Sequence, residues 1–170
     1  MPEVLRVLAV DPALRNTGYA VLQSDGKTIT ALTYGVVQNH IKLSHAGCLL
    51  ALRDQLTVVI KEYSPAECAI ESTIYVQSFK TAITLGSVRG AVLIAAAEHG
   101  LMVHDYAPRE VKQAAVGRGG AGKEQVAFMV RSMLRLRETP PPDAADALAV
   151  GLAHLQAKSG AAVQLGMRRR

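Results

Sequence analysis

The sequence predicts an α/β fold, a five-stranded mixed sheet with helices on its faces. Leu5–Val10 is apolar on both faces, the pattern of a central strand covered from both sides. Two strand-like segments follow, joined by the turn signal Asp25-Gly26-Lys27, which points to an antiparallel meander. Helical and strand patterns then alternate, bringing later strands back to the same sheet.

Taken in order, residues 5–11, 19–23 and 28–38 read as the first three strands. Leu49, Leu52, Leu56, Val59, Ile60 and Tyr63 recur at helical spacing, and Ser64-Pro65 stops that helix. Residues 67–72 form a short buried strand with Glu71 near its end. Ser78 caps a long helix that runs to His99 and ends at Gly100. Residues 102–106 are the fifth strand, and Pro108 opens a short helix reaching Val116. Residues 117–122 are a glycine-rich loop, and 123–136 an amphipathic helix. Pro140-Pro141-Pro142 holds the chain extended before a last helix that starts near Asp143. Fraying is expected from Ala157, giving one domain over 1–157 and a basic, flexible tail over 158–170.

A chain of 170 residues, 49% hydrophobic and 19% charged, has the make-up of a globular protein with a substantial core. The net charge of +5 and pI of about 9.4 suit a polyanionic partner, although Arg168, Arg169 and Arg170 supply much of the excess. Cys48 and Cys68 lie in apolar contexts and form no C-x-x-C pair, as expected of reduced thiols in a cytoplasmic protein. Glu3 and Arg6 interrupt the N-terminal apolar stretch, which argues against a signal peptide. The longest unbroken apolar run, Ala91–Ala97, is too short to cross a bilayer, so no membrane partner is expected.

Four acids occupy positions where a fold alone has no use for a carboxylate. Asp11 and Glu71 each end an apolar strand, while Asp143 and Asp146 open an almost wholly apolar helix. Asp143 and Asp146 are three apart and share a helix face, where acids also favour the positive end of the helix dipole. Gathered within about 5 Å, such charges would repel by roughly 3 kcal/mol per pair at an effective dielectric of about 20. A hard divalent cation such as Mg²⁺ removes that repulsion, so the four acids are read as a metal site. His154 lies on the same helix face but about 16 Å further along the axis, too far to bind the same ion. It is read as a polar histidine on the helix surface.

Asp11-Pro12-Ala13-Leu14-Arg15-Asn16-Thr17-Gly18 is similar to a phosphate-binding hairpin of the sugar kinase and actin superfamily, but this chain is too short for that family's paired domains. Arg109, Lys112, Arg118 and Lys123 surround the glycine-rich loop, which could follow a phosphate backbone closely. Gly86 and Gly90, four apart on the long helix, are read as close packing in the core, with a contact between two copies as the alternative.

An acid on strand one, one on strand four and two on a late helix resemble the ribonuclease H-like fold. Longer stretches resemble the RuvC family of bacterial Holliday junction resolvases over nearly the whole chain. They are LAVDPALRNTGYAVL, AIES, LGSVRGAVLIAAAEHG, EVKQAAVGRGGAGKEQVAFMVRSML and PPDAADALAVGLAH, in the family's order. The resemblance implies that Asp11, Glu71, Asp143 and Asp146 are the catalytic carboxylates and that Lys112 and Lys123 contact DNA, Lys123 close enough to the acids to join the catalytic set by assisting at the cleaved phosphate. It also implies a homodimer that nicks two strands of a four-way DNA junction symmetrically and works beside the branch-migration pair RuvA and RuvB. Two Mg²⁺ per active site, with Mn²⁺ as a substitute, would serve in-line hydrolysis of the phosphodiester.

The chain departs from the family at Ala13, where glycine is usual, at Ser72, where glutamine is common, and at Thr84, where lysine precedes Leu-Gly. At the position of the family's junction-probing aromatic it has Ile74, with Tyr75 beside it. Ile74, Tyr75 and Arg118 are carried as further DNA-contact candidates. The changed probe leaves a second expectation open, a junction-binding protein that cuts weakly and recruits branch-migration partners.

Overall fold

The computed structural model describes residues 4–72, 76 and 78–167. Five strands, β1 (Leu5–Asp11), β2 (Asn16–Ser24), β3 (Ile29–Gln38), β4 (Glu67–Glu71) and β5 (Met102–Tyr106), form one sheet in the order β3-β2-β1-β4-β5. β2 runs antiparallel to both β1 and β3, whereas β4 is parallel to β1 and β5 to β4. This is the expected mixed sheet, with β1 at its centre. The β2–β3 turn uses Gly26 at a φ of 86°, and the Asp25 carboxylate accepts the amides of Lys27 and Thr28.

Five helices cover the sheet: α1 (His45–Tyr63), α2 (Phe79–Glu98), α3 (Pro108–Val116), α4 (Lys123–Met133) and α5 (Pro142–Met167). Period-two alternation divides the strand side chains between two cores. Leu8, Val10, Val21, Cys68 and Ile70 pack with α1 and α2. Val7, Ala9, Ala20, Leu22 and Ala69 pack with α3, α4 and α5. By length and hydropathy α2 could cross a membrane, yet its Val88, Ala91, Val92, Ala95 and Ala96 are buried in the first of these cores. Burial pushes the Cys68 thiol up to about 12, so this cysteine is an inert part of that core.

Several expectations shift. α1 begins at His45, one residue after a cap in which the Ser44 hydroxyl accepts the Gly47 amide. α4 ends at Met133, followed by Arg135 in the left-handed region. α5 continues to Met167 where fraying was expected from Ala157, and Lys158 on that extension pairs with Glu67. Residues 168–170 of the proposed tail lie outside the described residues. Gly86 and Gly90 have no atom within 4 Å of where a Cβ would stand, so close packing within the chain does not explain them.

Candidate active site

The sheet register brings the first two acids together. Val10 pairs with Ile70 across the parallel β1–β4 ladder, so Asp11 and Glu71, one residue on, leave the two strands side by side. Both follow the pleat of Ala9 and Ala69, which face α5. α5 starts at Pro142, the favoured residue for an opening helical position, and carries Asp143 in its first turn and Asp146 at the start of its second. Ala144, Ala145 and Ala147 are buried against the sheet side, while the two carboxylates stay half-buried.

The electrostatics follow from this placement. The Asp11 carboxyl is pushed up to about 8, first by burial and then by the charges of Glu71 and Asp146. Glu71 is raised by burial and by Asp146, against lowering by a hydrogen bond with Asp11 and by the charges of Lys123 and Lys112. Lys123, the first residue of α4, holds its Nζ 3.3 Å from Asp146 Oδ2. Its ammonium is raised by Asp146 and further by Asp11 and Asp143. Asp11, Glu71, Asp146 and Lys123 thus act on one another, Asp143 acts on Lys123, and Lys112 is near enough to act on Glu71.

The loop behind Asp11 closes without a glycine at residue 13. Ala13 donates its amide to Thr17 Oγ1 at 3.2 Å and accepts the Thr17 hydroxyl at 2.5 Å. Glu71 is anchored from the other side, because the amide and hydroxyl of Ser72 both donate to the Tyr106 carbonyl, at 2.9 and 3.2 Å. Beside Glu71 opens a cleft of about 440 Å³ lined by Pro12, Ser72, Val76, Leu85 and Arg89. Arg89 grips the Asp105 carboxylate with both terminal nitrogens, the longer contact being 3.0 Å. Sequence reading missed Arg89; a lone cation inside the apolar stretch of α2 was its signal.

Arg118 sits exposed on the glycine-rich loop, which leaves α3 through Gly117 at a φ of 75°. Ile74 and Tyr75 lie outside the described residues. His154 departs from expectation: it is fully buried, hydrogen-bonded to Glu67 and Tyr106, and is no surface residue. It stands apart from the four acids, as its spacing along the helix requires.

Known proteins are similar to this chain over most of its length. A family model described as crossover junction endodeoxyribonuclease RuvC matches residues 7–154. A RuvC from Akkermansia muciniphila is 55% identical over 151 residues, covering 89% of this chain and 90% of that protein. One from Rhodospirillum rubrum is 41% identical over 157 residues, covering 92% and 93%. The solved structure of T. thermophilus RuvC in complex with a Holliday junction substrate superimposes with a TM-score of 0.85 at 34% identity, covering 92% of this chain and 96% of that one. The chain belongs to the RuvC family of crossover junction endodeoxyribonucleases.

Proposed function

We propose that this protein is a structure-selective endonuclease of the cytoplasm that resolves four-way DNA junctions by paired, symmetric nicks in recombination and repair. The convergence of Asp11, Glu71 and Asp146 beside Lys123 at the end of the central parallel strands carries this reading. The junction-bound relative supports the choice of substrate.

The donor set fits hard divalent cations. Burial, followed by the charges of Glu71 and Asp146, pushes Asp11 up to about 8, and a cation would offset that repulsion. Asp11, Glu71, Asp143 and Asp146 would hold two Mg²⁺, or Mn²⁺ in their place. When bound, such ions supply an activated water and neutralise charge on the leaving 3′-oxygen.

The chain's own residues do the rest. Lys123 offsets the acids' charge and offers its ammonium to the scissile phosphate. Lys112 and the exposed Arg118 extend the positive surface along the DNA backbone. The glycine-rich loop between them lets that backbone approach closely. Ile74 and Tyr75 follow Glu71 in sequence and are proposed to meet the unpaired bases of the junction.

Two copies acting together would deliver the two nicks. Phe79, Ile83, Gly86, Gly90 and Ile94 recur at helical spacing along the outer side of α2, where Phe79 is 90% and Ile83 72% exposed. This uncovered apolar stripe supports a homodimer. RuvA and RuvB are the partners that family membership suggests.

Incubation with a synthetic mobile four-way junction, with Mg²⁺ or with EDTA, tests the proposal. Paired nicks at symmetric positions are expected only with Mg²⁺. A junction that stays intact in Mg²⁺ while remaining bound would move the reading to a recruiting protein without cleavage.

A further inference from the structure

Glu67, His104 and His154 form a second cluster, at the end of β4 away from Glu71. Glu67 and Glu71 are four residue steps apart along the strand, about 13 Å, so the cluster is distinct from the acidic site. One nitrogen of each histidine and one oxygen of Glu67 lie within 4.8 Å of one another. β4 supplies Glu67, the adjoining β5 supplies His104 and α5 supplies His154.

We propose that Glu67, His104 and His154 bind one divalent transition-metal ion, with Zn²⁺ as its type. Two imidazoles and a carboxylate are the donor set of a three-ligand zinc site, whereas Mg²⁺ prefers oxygen alone. The His104 Nε2 is buried without a hydrogen-bond partner, 3.6 Å from Glu67 Oε2. A buried nitrogen left so is costly unless something binds it. An ion about 2.1 Å from each donor asks for donors roughly 3.4 Å apart in a tetrahedral site, which the His104–Glu67 pair already meets.

The surrounding groups are oriented as a metal site needs. Glu67 Oε1 accepts Lys158 Nζ at 2.8 Å, leaving Oε2 to face both histidines. His154 Nδ1 lies 2.9 Å from the Tyr106 hydroxyl, which fixes the ring and turns Nε2 toward the cluster. His154 Nε2 and Glu67 Oε2 are hydrogen-bonded at 2.5 Å in the ion's absence. With an ion on Nε2 the ring's proton sits on Nδ1, donated to the Tyr106 hydroxyl, and the His154–Glu67 pair opens by about 1 Å. His104 is 32% exposed at its side chain, which gives the ion a way in and room for a water as fourth ligand.

The competing arrangement is a purely structural ion pair of Glu67 with Lys158 and His154. That pair accounts for His154 and Lys158 but leaves the His104 nitrogen 3.6 Å from the carboxylate, without a hydrogen bond. The ion satisfies all three.

The test uses the full chain, stripped of metal, with Asp11→Asn and Asp146→Asn introduced to weaken binding at the acidic site. Zn²⁺ is titrated in competition with a chromophoric chelator, and Co²⁺ is added separately as a spectroscopic probe. One Zn²⁺ per chain is expected, with an intense visible Co²⁺ spectrum of low coordination number. His104→Ala, at a partly exposed position, should keep the circular dichroism of the parent and lower Zn²⁺ affinity by about tenfold or more. Glu67→Gln should do the same. Absence of Zn²⁺ binding in the parent, or binding untouched by His104→Ala in a folded protein, would overturn the proposal.

Discussion

A Cβ placed on Gly18 would stand 1.9 Å from the carbonyl oxygen of Asp143 and 2.5 Å from its carbonyl carbon. The backbone of β2 and the first turn of α5 therefore touch directly, and the absence of a side chain at residue 18 sets the depth at which Asp143 and Asp146 meet Asp11. Gly18→Ala should push that turn outward, destabilise the fold by about 1–3 kcal/mol as overpacking does, and lower cleavage far more than junction binding. A melting curve and a cleavage assay on the same preparation check this; unchanged cleavage would show that the helix start need not sit so deep.

The metal-free protein should lose stability as pH rises. Asp11 is held near 8, well above an ordinary aspartate, so between about pH 4 and 8 the folded state binds a proton that the unfolded chain has released. Stability from this source is complete below the unfolded value and is lost as pH passes through the folded one. Melting temperature in EDTA should fall across that window, and Asp11→Asn should flatten the fall. Mg²⁺ should raise the melting temperature most at the alkaline end, where both strand carboxylates are free to ionise.

Asp146→Asn removes a proposed ligand and the partner that Lys123 holds at 3.3 Å. Cleavage should be abolished, while junction binding stays equal or tightens because the acidic cluster repels DNA less. Gel-shift and nicking assays in parallel separate the two effects. Full nicking activity in this variant would remove Asp146 from the ligand set.

Lys112→Ala and Lys123→Ala should each weaken junction binding and reduce the salt slope by about one counterion. Arg118→Ala should do less, because an exposed charge on a loop is well screened. Affinity measured across a salt series decides it, and an unchanged slope for both lysine variants would exclude them as phosphate contacts.

Much of this molecule was legible in its sequence because the signals were local. Apolar runs, the Asp25-Gly26 turn, Ser78 as a cap and Pro108 as a helix start all describe interactions within a few residues, and the structure follows them. The four acids stood out since each breaks an apolar pattern. What the sequence concealed depends on partners distant along the chain. His154 seemed a surface residue because nothing nearby marked Glu67, 87 positions away, as its partner. The extension of α5 was hidden for the same reason: Lys158 reaches that same glutamate. Gly86 and Gly90 looked like packing residues, and only the fold showed which way they face.

The acids of the proposed cutting site come from β1, β4 and the first two turns of α5, so no short stretch of the chain contains more than two of them. During synthesis the strands bearing Asp11 and Glu71 are made well before Asp143 and Asp146, and the site is whole only once the last helix has docked on the sheet. Contacts this distant in sequence form late in folding. A partly made or partly unfolded chain is therefore a harmless one: the ability to break DNA arises only with the finished tertiary structure.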